Sequence, residues 1–194
     1  APGQRTSGGE VVAGQATLQN RITGDAAVLD VEQSTQRAVV NWDSFDLGNQ
    51  AEVNFNQPNT SAATLNRVLG INPSQIYGNI NATGQVFLTN PNGVLFGESA
   101  SVDVGGLVAT TGSIDDADFM AGDFVLRRDG AEGSVENRGS LQAGLGGYIA
   151  LLAPEVRNSG VIIARAGAVA MAAGEVITLD IEGGQLASIT AEPA

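Results

Sequence analysis

Gly84-Gln85-Val86-Phe87-Leu88-Thr89-Asn90-Pro91-Asn92-Gly93-Val94-Leu95-Phe96-Gly97 is the stretch that decides how this chain is read. Two short apolar runs, Val86–Leu88 and Val94–Phe96, have the length and residue types of buried strands. Between them lies turn chemistry. Pro91 presets its own φ for the second position of a tight turn, and Asn92 and Gly93 both tolerate positive φ. The stretch therefore predicts strand, tight corner, strand, with apolar side chains on both sides of the corner.

Short strand-like runs of the same kind fill the rest of the chain. They begin at Glu10-Val11-Val12 and return at 27–31 and 38–47. In Glu52-Val53-Asn54-Phe55-Asn56 the alternation places Val53 and Phe55 inward. The spacing leaves no room for crossover helices between strands. Two stretches have helical character. Asp115–Gly122 suits a turn or two. Thr60–Gly70 has a candidate cap at Thr60 or Ser61 and a terminating Gly70, so propensity leans to helix there, although the same residues can form a strand.

Beyond Gly130 the chain repeats itself. Asn137-Arg138-Gly139-Ser140-Leu141-Gln142-Ala143 returns 21 residues later as Asn158-Ser159-Gly160-Val161-Ile162-Ile163-Ala164, and Glu155-Val156 returns 20 residues later as Glu175-Val176. A fixed period of this size marks a solenoid. The units are too short for helices and rich in β-branched residues and Gly, which predicts a parallel β-helix. Ile177, Leu179 and Ile181 are expected to point into its bore, with Thr178, Asp180 and Glu182 outside. A narrow bore explains why aromatics are only 5% of residues while Gly reaches 26 of 194. Coils stacked about 4.8 Å apart, roughly seven or eight of them, give a body about 35–40 Å long. Open ends of such a stack expose strand edges and require caps. The residues before about Val39 are the expected N-terminal cap and residues 39–194 the coils, in one domain. The final residues come directly after a strand pattern, as expected of a piece of a longer protein with its C-terminal end open.

Composition removes several function classes. The net charge of −12 opposes binding to nucleic acid phosphates and anionic lipid surfaces, and no apolar run has transmembrane length. The chain has no Cys and no His. Disulfide frameworks, thiol chemistry, Ser/His/Asp catalysis and His- or Cys-based metal sites are excluded. Asp115, Asp116, Asp118 and Asp123 form the densest carboxylate group, but their spacing fits no ligand loop and reads as a solvated acidic segment. Gly144, Gly146 and Gly147 do not fit a phosphate-binding pattern and read as corners. Asn59-Thr60-Ser61 and Asn81-Ala82-Thr83 match the glycosylation pattern by chance and receive no assignment. No catalytic, cofactor-binding or metal residue is assigned.

Three segments carry a resemblance to a known family. Gln85–Val94 resembles the signature at the start of filamentous-haemagglutinin-type exoproteins, the passengers of two-partner secretion. Val39–Phe45, with Asn41, Trp42 and Phe45, resembles that family's "I-N-W-x-x-F" segment. Ser61–Val68, with Asn66, Arg67 and Val68, resembles its "S-A-x-x-N-R-V" segment. The segments occur in the family's order, and the similar region runs from about Gln15 onward. The absence of a second motif, Asn-Pro-Asn-Leu, points to the high-molecular-weight-adhesin branch.

The resemblance implies a right-handed parallel β-helix with an N-terminal β cap and small extra-helical strands, and it favours strand over helix at 60–70. It implies a non-enzymatic secretion-signal domain, a monomer without cofactors. Its partner would be a cognate outer-membrane β-barrel transporter, met through periplasmic POTRA domains. The domain would cross the periplasm, reach the cell surface or medium without inserting in a membrane, and nucleate the β-helix of the remaining passenger. Asn90, Pro91, Asn92 and Gly93 would form the secretion and folding motif. Trp42 and Phe45 would be core or cap-covering residues, and Arg67 would pair with a carboxylate of a neighbouring coil. Two other classes stand beside this one, a secreted carbohydrate-active β-helix enzyme and a self-contained glycan- or matrix-binding adhesin module.

Overall fold

A computed structural model describes residues 1–193. The chain starts with β1 (Glu10–Ala13) and β2 (Ala16–Thr23), then winds coil by coil. The first coil holds β3 (Ala26–Gln33) and β4 (Arg37–Trp42). The second holds β5 (Ala51–Asn56), β6 (Ala63–Val68) and β7 (Ser74–Ile76), and the third β8 (Asn79–Ala82), β9 (Gln85–Thr89) and β10 (Val94–Phe96). The fourth runs along β11 (Ser101–Thr110), leaves the stack for α1 (Asp116–Ala121) and β12 (Phe124–Arg127), and returns in β13 (Ser134–Asn137). The fifth holds β14 (Ser140–Leu152) and β15 (Glu155–Asn158), and the sixth β16 (Val161–Ala164) and β17 (Ala168–Ala172). β18 (Val176–Glu182) and β19 (Gln185–Glu192) then fold back as an antiparallel hairpin.

The result is a parallel β-solenoid with three faces. β3, β5, β8, the first half of β11, the first half of β14 and β16 stack in parallel on one face. β4, β6, β9 and the second halves of β11 and β14, with β17, stack on the next. β7, β10, β13 and β15 form the third, joined by the Leu47–Ile76 bridge from the first coil. The 21-residue repeat stacks in register, Asn137 beside Asn158 and Ala143 beside Ala164. The 20-residue match does not, because Glu175-Val176 opens β18, which leaves the stack and pairs antiparallel. The Gly144–Gly147 run sits at a bulged corner between two faces, opposite the register shift at Val104/Gly106. Within Thr60–Gly70 the chain is strand over Ala63–Val68 and not helix: β6 lies between β4 and β9, and tertiary pairing overrides its helical propensity.

The apolar side chains form two cores. Inside the bore, Val31, Val40, Val53, Phe55, Val86, Leu88, Leu107 and Ile149 stack coil on coil. Each such side chain contributes about 1.5–3 kcal/mol by leaving water. A second core lies outside the bore, on the face of β4, β6 and β9. There Leu65, Phe87, Val108 and Leu152 are covered by Phe119 of α1, by Phe124 and Leu126 of β12, and by Ile177 and Leu179 of β18. Ile177, Leu179 and the partly buried Ile181 therefore do point inward, but into this lateral core and not into the bore. The three-stranded sheet β12-β18-β19 lies over the solenoid wall and gives them their own interior.

The N-terminal end is closed by one segment running backwards. Ser7 bridges Ser44 antiparallel, β1 pairs β4 antiparallel, and β2 pairs β3 antiparallel. Residues 2–23 thus lie as a reversed turn on the first coil. The parallel stack opens at β3, ahead of Val39. Gly9 crosses the Trp42 ring so closely that a Cβ there would stand 2.5 Å from Trp42 Cζ3. No helix among the described residues is long and apolar enough to cross a membrane.

Candidate functional site

The Asn90–Gly93 corner joins β9 on the second face to β10 on the third. Asn90 is fully buried, while Pro91 and Asn92 are exposed and Gly93 is buried. Gly93 N–H donates to the Asn90 carbonyl at 3.0 Å, closing the turn, and Gly93 holds φ at +120°, which suits glycine. The two asparagines replace the ladder bonds lost where the chain bends. Asn90 Nδ2 donates to Asn72 O and Ser74 Oγ, both at 3.0 Å. Its Oδ1 accepts from Asn92 N–H at 3.0 Å and from Asn92 Nδ2 at 3.1 Å. Asn92 Nδ2 also donates to Gly70 O at 2.9 Å. The acceptors Asn72, Ser74 and Gly70 belong to the corner of the second coil. From the other side Gly133 of the fourth coil packs on the turn: a Cβ there would come within 2.7 Å of Pro91 O, Asn92 C and Gly93 N. The motif is a rivet through three consecutive coils.

The two other motif segments lie side by side on the second face, where Asn41 is opposite Arg67 and Val40 opposite Asn66. Trp42, Asn66 and Val68 turn inward. Trp42 Nε1 donates to Asn66 Oδ1 at 3.0 Å, and Asn66 Nδ2 passes the link to Phe87 O at 3.2 Å. Phe45 meets Trp42 edge-on with centroids 5.6 Å apart. Asn66 is fully buried, so the Trp42–Asn66 bond satisfies two groups that would otherwise be stranded in an apolar bore. Arg67 turns outward. Its guanidinium donates to Asn41 Oδ1 at 3.0 Å and Ile114 O at 2.7 Å, and pairs with Asp116. Its carboxylate partner thus comes from α1 in the fourth-coil excursion and not from an adjacent coil of the stack. Arg37, one coil earlier, donates to Met120 O at 2.9 Å. Two arginines of the solenoid wall hold α1 at its two ends. The acidic segment is correspondingly structural: Asp115 caps α1 by accepting from Asp118 N–H at 3.1 Å, and Asp116 binds Arg67.

Sequence reasoning missed a buried polar chain at the corner between the first two faces. Gln33 and Gln57 both bond Thr64 Oγ1 inside the stack. Gln57 reaches Gln85 O at 2.8 Å and accepts from Gly84 N–H at 2.6 Å. Tyr148 OH of the fifth coil donates to Gln85 Oε1 of the third at 2.6 Å, passing over Gly106, where a Cβ would stand 2.5 Å from the tyrosine ring. Burial pushes the Tyr148 phenol pKa up. The spacing of Gln33, Gln57 and Gln85, close to one coil each, was the signal that could have found it.

Among the described residues no group of three or more carboxylates stands close enough to hold a metal ion. Arg67, Val68, Pro91 and Asn92 line one open groove together with the 111–113 and 128–132 loops, whereas Trp42, Asn66 and Asn90 are buried. The motif residues bond one another and the backbone, an arrangement that fixes coils in register.

A family model described as the TPS secretion domain matches residues 7–194. Two heme/hemopexin-binding proteins of Haemophilus influenzae are 43% and 42% identical over 102 and 107 residues, 53% and 54% of this chain. The matched part is 11% of each of those relatives, so the chain spans a small fraction of their length. The crystal structure of the HMW1 secretion domain from Haemophilus influenzae superposes with a TM-score of 0.86 at 32% identity, covering 97% of this chain and 50% of that one. The filamentous hemagglutinin secretion domain superposes at 0.62 with 20% identity, covering 98% and 71%, which shows the shared fold.

Proposed function

The chain belongs to the TPS secretion domain family, and on that premise we propose that it is the secretion-signal portion of a large exoprotein, an adhesin. A cognate outer-membrane β-barrel transporter recognises it through periplasmic POTRA domains and threads it outward unfolded. It then folds at the cell surface and nucleates the β-helix of the downstream passenger. The observation that supports this most strongly is the extent of the family match, which takes in residues 7–194 and so leaves little of the chain for another function. The physics is consistent: each parallel coil is templated by the last, so folding that starts at one nucleus propagates, and coil formation outside biases the chain outward. Asn90, Pro91, Asn92 and Gly93 are the nucleating corner in this reading, because their bonds join three coils. It assigns the chain no catalysis. The heme/hemopexin in the relatives' name belongs to proteins of which the match covers 11%, and a chain without His or Cys lacks the commonest heme ligands.

The test is secretion. The chain is expressed behind a signal peptide, with and without its transporter, and the medium is assayed. Release only with the transporter is expected. Asn92→Ala, which removes the bond to Gly70 O, is expected to slow both release and refolding. Folded protein retained in the periplasm in both hosts would overturn the reading in favour of an independent glycan-binding module or a carbohydrate-active enzyme, which polysaccharide screening would then separate.

A further inference from the structure

The nucleating corner contains the sequence's single Asn-Gly pair, Asn92-Gly93. In an extended chain this is the pair most prone to losing its side-chain amide. The glycine nitrogen, unhindered by a Cβ, attacks Asn92 Cγ. A Cγ–N bond forms, the Cγ–Nδ2 bond breaks, and Nδ2 departs as ammonia with the proton from Gly93 N–H. Water then opens the cyclic imide to aspartate or to isoaspartate, which carries one extra backbone carbon. The fold opposes each requirement of that reaction. Gly93 N–H is engaged by Asn90 O at 3.0 Å, and Gly93 is buried beneath Gly133, which stands so close that a Cβ there would lie 2.7 Å from Gly93 N. Asn92 Nδ2 is held by Gly70 O at 2.9 Å and Asn90 Oδ1 at 3.1 Å.

We propose that Asn92 is a spontaneous deamidation site that is open only while the chain is unfolded, and that the change disables the corner. Either product is incompatible with the observed bonding. A carboxylate at 92 sets oxygen against two oxygens, Gly70 O and Asn90 Oδ1, which now accept from Nδ2. Isoaspartate lengthens the turn that Gly93 N–H closes onto Asn90 O. A chain kept unfolded therefore loses its capacity to fold with time, while a folded one is preserved. This holds for the chain itself, whether or not the secretion reading stands.

The experiment incubates the chain at mildly alkaline pH in native buffer and in concentrated urea, and tracks the 92–93 peptide by mass spectrometry. Loss of the amide is expected to be at least about tenfold slower in the folded chain, corresponding to about 1.4 kcal/mol or more for opening the corner. The urea-aged sample is then separated by charge into deamidated and intact chains, and each is diluted into native buffer with Trp42 fluorescence as the readout. The intact fraction is expected to refold at the rate of fresh protein, and the fraction altered at Asn92 at least about tenfold more slowly. Equal rates of amide loss in the two buffers, or equal refolding of the two fractions, would overturn the proposal. Because both arms use the unsubstituted chain, no variant has to fold for the result to be read.

Discussion

Tyr148 shows how one residue can fasten coils that are not neighbours. Its ring crosses the fourth coil through the space left by Gly106 and delivers a hydroxyl proton to Gln85 of the third. Ionising this phenol in place would put a charge in an interior with no cation beside it, which is why burial raises its pKa. The unfolded chain releases the proton near an ordinary value of about 10, whereas the folded chain keeps it. The stability tied to this group is therefore complete below about pH 10 and falls as pH rises beyond it, by about 1.4 kcal/mol per pH unit. Urea unfolding at increasing alkaline pH should show this loss in the unsubstituted chain. Tyr148→Phe should be less stable at neutral pH by about 1–2 kcal/mol, since Gln85 loses a buried donor, yet show a weaker alkaline decline. An identical decline in both would place the titration elsewhere.

At the scale of an element, α1 is a short helix held from outside itself. Six residues do not sustain a helix alone. Phe119, packed between Phe87 and Phe124 with ring centroids 5.2 and 5.5 Å away, and the two arginines of the wall, Arg37 and Arg67, keep it in place. Arg67→Ala is expected to leave the solenoid intact, to lower global stability by about 1–2 kcal/mol, and to speed amide exchange in 116–121 selectively. Uniform acceleration across the coils would instead make Arg67 a part of the main stack. The sequence indicated a helix of this length at this place, because Asp115 and Gly122 are local cap signals. It also indicated the solenoid and the corner at Asn90–Gly93, since turn residues and a 21-residue spacing are properties of neighbouring positions. The lateral core was not legible. Alternation in Ile177, Leu179 and Ile181 states that one side of a strand is buried but not against what, and the partner surface lies on β6 and β9, far away in sequence. The Arg67–Asp116 pair was hidden for the same reason.

Across the whole molecule, the two ends of the stack differ in kind. β16 and β17 continue the parallel pattern of the coils beneath them, whereas residues 2–23 lie antiparallel over the first coil. The contact between Gly9 and the only tryptophan, Trp42, reports on this cap. Gly9→Val should cost about 1–3 kcal/mol through overpacking, shift Trp42 emission to the red and promote self-association through the bared edges of β3 and β4. An unchanged emission spectrum and a monodisperse sample would show that the cap tolerates displacement. The reversed cap also sets a timetable. β2 can close on β3 across the Gly24-Asp25 turn without a finished coil, whereas β1 has no partner until β4 has followed, so residues 10–13 settle only after the first coil is laid down. Once docked, β1 and β2 close one terminus of the rod to further coils. The molecule then has a head and a tail, and only the tail can lengthen.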